Sequence, residues 1–483
     1  MFQKNAKNIK QNLYENNRIR KGLKKGGHIT NTTTGRAIGY FAVISVVFLI
    51  ITLILPLNTF QKISLLIFIS FIAGSLFYWH FRNAFALAGI ALLLGFRILD
   101  VEHLIAFANL DIVLFLIGMM IVVGFLEEKK FFDWLITVSL KPFIEKPSLL
   151  LATLLMLGTL MAALVDEVTS ILFMSAIMLR VLRGYGFEGE KVLPFIMFLV
   201  FTTNIGSSAL PVGNPIGVLI AFKAGFTIED FINWVLPPAL ISSLITSLIG
   251  LLYLKRTVGF GKIACAIDFG EFKLDRDLKI SLGVFIAVIT GLILHFKIEE
   301  ILGLGKNVML LGVPLMMAGV VLMISREHAR DLVEKVDWWT LLYFILLFAS
   351  VGTLKYTGVT DIIAHLISTL AGDLLSTMLL IGIVVSVLTA FMDNVLAVAT
   401  LVPVIQALGS NLNLDPVWWI MLIGGTYCGN ATIIGSTANI VAAGLVEKKN
   451  LGHFSMLSWM KIGVVISILT FFIAFPLLYF RSI

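Results

Sequence analysis

Apolar residues in this chain come in long runs with no polar stripe. Runs of about 20 residues, each long enough to cross a bilayer, recur at 37–56, 60–79, 83–98, 111–126, 234–254, 279–296, 306–324, 338–354 and 459–480. The pattern predicts nine uninterrupted membrane helices there. Four further apolar stretches, 148–183, 192–224, 373–409 and 417–445, are broken by Gly, Pro, Asn or an acid. Backbone leaves the helix at membrane depth only where protein or a water-lined cavity satisfies its N–H and C=O groups, so these interruptions are expected to line a site.

With 148–183 and 373–409 read as re-entrant hairpins and 192–224 and 417–445 as broken spanning helices, the chain makes about eleven crossings. Charge tests that count. With the N-terminus inside, the cytoplasmic segments are 1–36, 80–82, 127–147, 180–191, 255–279, 325–335 and 446–450, and they hold 28 of the chain's 36 Lys and Arg. The outer loops 99–110, 225–233 and 410–416 hold none. A wrong count would scatter this bias, so the positive-inside rule supports the topology.

Composition agrees. Hydrophobic residues make up 59% of the 483 positions and charged ones 13%, and the mean hydropathy is +0.99. That excludes a soluble domain with one core and indicates an all-α, multi-pass protein of the cell membrane. The basic tail 1–36 is read as a cytoplasmic anchor near anionic lipid, which explains the net charge of +7 without nucleic acid. Residues 37–56 are expected to be a peripheral first transmembrane helix and not a cleaved signal. Cys265 and Cys428 match no metal or redox spacing.

The interrupted stretches repeat. "ALVDEVTSILF" around Asp166 and "AFMDNVLAVAT" around Asp393 each set a carboxylate, with Glu167 or Asn394 beside it, in an apolar run. An Asn follows 38 residues after Asp166 and 37 after Asp393. It is the second residue of "TNIGSSALPVGNPIG" in one case and of "GNATIIGSTANI" in the other. Each segment carries a leading Asn (Asn204, Asn430), a Gly-Ser step (Gly206 and Ser207, Gly435 and Ser436) and a closing Asn (Asn214, Asn439). Four landmarks in one order mark two repeats, 57–254 and 279–483, joined by a cytoplasmic linker at 255–278. Five crossings and one hairpin per repeat is an odd number, so the second repeat is expected to be inverted, as in secondary transporters with a midplane site.

Carboxylates at the bilayer centre cost about 2.5–3.5 kcal/mol each on insertion scales, so Asp166 and Asp393 are candidates for ion binding or proton coupling, with helix capping as the alternative. Glu167 is a weaker candidate, since it could face a cytoplasmic vestibule. Asn, Ser, Thr and Gly suit either sign of ion. Glycine admits backbone to a ligand, amides and hydroxyls both donate and accept, and broken helices present positive N-termini and free carbonyls. The candidate site is therefore Asp166, Glu167, Thr169, Asn204, Gly206, Ser207, Asn214, Asp393, Asn394, Asn430, Thr432, Gly435, Ser436 and Asn439. A coupling sodium ion would sit at Asp166, Asn204, Asp393 and Asn430, and no other metal or cofactor is expected. The bland reading of each small residue is close helix packing. "GLGKN" from Gly303 lacks the spacing and hydroxyl of a phosphate loop, and His103, His295, His365 and His453 share no ligand spacing.

These motifs resemble those of the ion transporter superfamily, in its arsenical-permease, D-type sodium/proton antiporter and P-protein branch, related to the divalent anion/sodium symporters. The resemblance extends from about residue 60 to the C-terminus. It implies hairpin tips at Asp166 to Thr169 and Asp393 to Val395, where the dicarboxylate symporters carry a Ser-Asn-Thr triplet, and a homodimeric assembly. Acid replaces that triplet here, and the closing turn Asn214-Pro215-Ile216 lacks a second proline. Fixed negative charge repels a dianion at close range, so the departure favours a sodium or proton exchanger. An anion or metalloid permease, for arsenite or a carboxylate, is the alternative. Asp393→Asn is then expected to abolish exchange and leave the fold intact. An intramembrane aspartyl protease is disfavoured, because the Gly-x-Gly-Asp context is absent and no enzyme is expected. A passive channel would share the same lining residues.

Overall fold

The computed structural model describes residues 57–259, 274–408 and 413–482. The basic tail, the run 37–56 and Cys265 lie outside the described residues. Every regular element among the described residues is a helix, and nine of these helices are long and apolar enough to cross a membrane. The chain is an all-α polytopic membrane protein.

Two compact units divide the chain, one ending at Val101 and one spanning Glu102–Ile483. In the first, α1 (Thr59–Phe77) and α2 (Arg82–Gly95) pack together. Asn58 and Gln61 form a capping box at the start of α1, and Gly74 admits the Phe85 ring where a Cβ would stand 2.3 Å from it. Helix α2 has only 14 residues, about 21 Å at 1.5 Å per residue, and so falls short of the ~30 Å hydrocarbon core.

After α3 (Val101–Phe107), the second unit runs α4 (Leu110–Glu128), α5 (Phe131–Leu140), α6 (Pro147–Leu164), α7 (Glu167–Gly184), α8 (Leu193–Ser207) and α9 (Pro215–Ile220). It continues with α10 (Ile228–Trp234), α11 (Leu236–Thr257), α12 (Arg276–Leu302), α13 (Val308–Ser325), α14 (Ala329–Glu334), α15 (Trp338–Tyr356) and α16 (Val359–Leu370). The last five helices are α17 (Leu374–Phe391), α18 (Asn394–Ala407), α19 (Asp415–Tyr427), α20 (Thr437–Lys448) and α21 (Met456–Ser482). Hydropathy marks neither α5 nor α16, because helices of 10 and 12 residues are too short to read as spans. In α16, Val359, Ala364 and Ile367 are buried while Leu366 and Leu370 are exposed, the mark of a helix lying along the surface of the unit.

The four interrupted stretches break where their polar motifs stand. Helix α6 stops at Leu164 and Asp166 caps α7. Helix α17 stops before an extended Met392, and Asp393 caps α18. A turn at Pro211–Gly213 separates α8 from α9, whose cap is Asn214, and the turn Cys428–Ala431 separates α19 from α20, whose cap is Ser436. Each second arm thus begins on an Asp, Asn or Ser whose side chain accepts a hydrogen bond from a backbone N–H of its first turn. Contacts too close for any Cβ bring these breaks together. A Cβ on Gly206 of α8 would lie 2.3 Å from the Thr159 carbonyl oxygen of α6, and one on Gly435 would lie 2.8 Å from the Thr389 carbonyl oxygen of α17.

Candidate functional site

Successive residues of a helix point about 100° apart, so the residue after a cap leaves the capping geometry and faces a different neighbour. Asp166 illustrates the first direction. Its Oδ1 accepts the Val168 and Thr169 amides at 2.8 Å each, which keeps the carboxylate within its own helix turn. Thr169 is half-buried beside it. Glu167 takes the other direction and is buried.

Three side chains from three other segments donate to Glu167. Ser207 Oγ reaches Oε2 at 3.0 Å, while Asn394 Nδ2 and Ser436 Oγ reach Oε1 at 3.3 Å each. All four breaks therefore meet at one carboxylate. No Lys, Arg or His among the described residues pairs with Glu167, and no group of three or more His, Cys, Asp or Glu side chains among them is placed to hold a metal.

Amides extend the site on either side. Asn204 Nδ2 donates to Asn430 Oδ1 at 2.7 Å and to Asn439 Oδ1 at 2.8 Å, and its Oδ1 accepts the Ser436 hydroxyl at 3.1 Å. Asn439 Nδ2 in turn donates to the carbonyls of Gly429 (2.8 Å) and Thr432 (2.7 Å). Asn430 Nδ2 donates to the Phe201 carbonyl at 3.2 Å, and the Thr432 hydroxyl donates to the Ala390 carbonyl. On the far side, Asn214 Nδ2 donates to Ser207 Oγ at 2.9 Å while Asn214 Oδ1 accepts the Gly217 amide at 2.6 Å. All five of the Asn side chains at the site, Asn204, Asn214, Asn394, Asn430 and Asn439, are buried.

Asp393 is buried and bound twice. Its Oδ1 accepts the Val395 amide at 3.0 Å and its Oδ2 the Thr437 hydroxyl at 2.8 Å, which ties the α17–α18 break to the start of α20. The candidate set thus divides. Glu167, Asn204, Ser207, Asn214, Asn394, Asn430, Ser436 and Asn439 form one network, which Thr432 joins through its carbonyl. Asp393 joins α18 to α20, Asp166 and Thr169 make a local cap, and Gly206 and Gly435 act through close packing.

Two partners of the candidate residues are not themselves candidates. Thr437, which lies within "GNATIIGSTANI" one residue past Ser436, holds Asp393. Trp459 of α21 donates Nε1 to the Asn430 carbonyl at 2.9 Å from a run that reads as an ordinary apolar helix.

The two serines are chemically ambivalent. Ser436 Oγ faces Glu167 Oε1 and Asn204 Oδ1, and Ser207 Oγ faces Glu167 Oε2 and the Asn204 carbonyl at 2.9 Å. A hydroxyl has one proton, so each serves one acceptor at a time. The charge on Glu167 decides between them, since a charged acceptor holds a hydrogen bond more strongly than a neutral one.

Comparison with known proteins identifies the relatives of this chain. The family model CitMHS, described as citrate transporter, matches residues 67–424. A protein of Mycobacterium tuberculosis (strain ATCC 25618 / H37Rv) named an uncharacterized transporter is 30% identical over 384 residues, covering 77% of this chain and 86% of its own. The 46 kDa membrane protein of Mycobacterium leprae (strain TN) is 28% identical over 381 residues, with the same coverage of 77% and 86%. The P protein of Homo sapiens is 22% identical over 447 residues, covering 75% of this chain and 52% of its own.

Proposed function

This chain belongs to the citrate transporter family, and on that premise we propose that it is a secondary active transporter whose coupling ion, a proton or sodium, binds at Glu167. The observation that carries the reading is a buried carboxylate met by three neutral donors and no cation. A buried charge of this kind needs a compensating partner, and a proton or a small cation supplies one.

Coupling follows from what Glu167 touches. While the carboxylate is charged, it holds Ser207, Asn394 and Ser436 together across the four breaks. Neutralisation by the bound ion frees the serine protons for Asn204 and its carbonyl and weakens the Asn394 bond to Glu167, which loosens the contact between the two Asp-motif hairpins. The two repeats, inverted in the membrane, would then open the site to alternate sides. Asp393 and Asn394 complete the ligand set from the second hairpin. A homodimer in the cell membrane with a cytoplasmic N-terminus is the assembly in which we expect this to occur.

A second reading has its own support. The family description names citrate, and the N-termini of α7, α18 and α20 converge on the site, where their positive ends suit an anion. On this reading the cargo is a carboxylate or oxyanion, arsenite included, and Glu167 remains the coupling-ion ligand that offsets its charge.

Purified protein in proteoliposomes decides between them. Imposed sodium and proton gradients, each with and without citrate, phosphate and arsenite, are expected to drive a coupled flux that Glu167→Gln lacks. Sodium-driven proton flux without any anion supports exchange, and gradient-driven citrate uptake supports the second reading. Flux in Glu167→Gln that still runs uphill at the wild-type rate refutes the role of Glu167.

A further inference from the structure

Three helix ends of the Glu102–Ile483 unit meet at a cleft of about 630 Å³ whose lining includes Lys129 after α4, Arg276 and Asp277 at the start of α12, and Arg326 after α13. Lys129 is neutralised within the cleft, since its Nζ pairs with Asp277 Oδ2 at 2.9 Å. Arg276 and Arg326 are exposed and form no ion pair among the described residues. Among the described residues the cleft therefore keeps two guanidiniums without an ion pair.

The rest of its lining is apolar, and the part on α13 is turned outward. Val320, Met323 and Ile324, in the last two turns of α13, are 39%, 78% and 41% exposed. Cations at the end of membrane-crossing helices, with an apolar wall running along one of them, are complementary to a molecule with a phosphate at one end and a hydrocarbon chain at the other. Position agrees with this. Segments 127–147, 255–279 and 325–335 all fall on the side that the Lys and Arg bias assigns to the cytoplasm, the leaflet face rich in anionic lipid.

We propose that this cleft binds an anionic phospholipid, with its phosphodiester between Arg276 and Arg326 and one acyl chain along Val320, Met323 and Ile324. Guanidinium groups suit this role because their planar donors grip phosphate oxygens in pairs. The site is separate from the transport network, to which none of these residues belongs.

The test is retention of phosphatidylglycerol against phosphatidylcholine by native mass spectrometry of protein released from mixed nanodiscs. Wild type is compared with R276Q/R326Q and with K141Q/K146Q, which removes two exposed cations from the same side outside the cleft. Removing two arginines, each worth about 1 kcal/mol near an anionic surface, is expected to lower phosphatidylglycerol retention on the order of thirtyfold, while K141Q/K146Q keeps the wild-type preference. Equal loss in both variants overturns the proposal, because diffuse surface charge would then account for binding. Displacement of the lipid by millimolar glycerol phosphate overturns it too, since the headgroup alone would suffice. Should the cleft variant fail to fold, the wild-type arm still decides: no preference for phosphatidylglycerol refutes the site.

Discussion

Glu167 and Asn394 stand 227 positions apart and meet side chain to side chain, Asn394 Nδ2 donating to Glu167 Oε1 at 3.3 Å. Each is the first helical residue after an aspartate cap. The two Asp motifs therefore use one local design twice. The aspartate closes its own helix, and the next residue reaches the other hairpin.

The stability of Glu167 variants follows from that contact. Glu167→Gln keeps an acceptor for the donors and removes a buried charge, so we expect its thermal unfolding temperature in detergent to equal or exceed the wild-type value. Glu167→Ala leaves the buried Asn394 amide without this acceptor, while Ser207 and Ser436 turn to the Asn204 carbonyl and Oδ1; a buried unsatisfied group costs roughly 1–3 kcal/mol, so this variant should melt several degrees lower. A Gln variant that melts as low as the Ala variant would mean that the charge itself holds the breaks together.

The two aspartates should separate in the same assay. Asp166→Ala loses a cap alone, about 1 kcal/mol, and asparagine caps as well as aspartate, so Asp166→Asn should be neutral. Asp393→Ala loses its cap and the Thr437 bond, about 2 kcal/mol in all. Asp393→Asn keeps both bonds and its fold, so loss of gradient-driven flux in that variant would mark Asp393 as an ion ligand. Retained flux would leave Asp393 a structural tie.

Much of this arrangement is legible in the sequence, and for a physical reason. Polar residues inside apolar runs have few uses, so Asp166, Asp393 and the two Asn/Gly segments announce where the helices break. Which acid faces the site is harder to read. The pattern ranks Asp166 above Glu167, but capping turns Asp166 inward on α7 and leaves Glu167 to cross to Ser207, Asn394 and Ser436. Hydropathy carries no record of side-chain direction, and one residue's offset decides it. Trp459 is illegible for a different reason, because its indole N–H serves a backbone carbonyl, Asn430 O, that no residue type advertises.

Asn204 is the amide on which both polar segments depend. Its carboxamide binds Asn430, Asn439 and Ser436 together, and all four side chains are buried. Asn204→Leu, of similar volume, leaves two carbonyl oxygens and one hydroxyl without this partner. Ser436 keeps Glu167 as its acceptor, and the two unsatisfied oxygens at about 1–3 kcal/mol each predict a loss of at least ~2 kcal/mol, enough to lower the yield of folded protein. Asn204→Asp keeps the acceptor for Ser436 but sets a carboxylate against the oxygens of Asn430 and Asn439, so it should be as damaging at neutral pH and partly recovered on acidification. Size-exclusion profiles in detergent across pH check both outcomes.

Gly206 sets how closely α8 approaches α6, and with it the placement of Asn204 and Ser207. An added Cβ would stand 2.3 Å from the Thr159 carbonyl oxygen and 2.5 Å from its Cα. Both are backbone atoms, which cannot rotate away, so the helices must separate. Their separation would stretch the Thr159 hydroxyl bond to the Thr202 carbonyl, now 3.2 Å, and carry Ser207 away from Glu167. Gly206→Ala is therefore expected to cost about 1–3 kcal/mol as overpacking and to lose coupled flux even in the fraction that folds. Gly95, with nothing within 4 Å of its Cβ position, is the matched control, and its alanine variant should be neutral or slightly stabilising. Wild-type flux in folded Gly206→Ala would show that Ser207 and Glu167 tolerate separation, and the serine would then have no part in coupling.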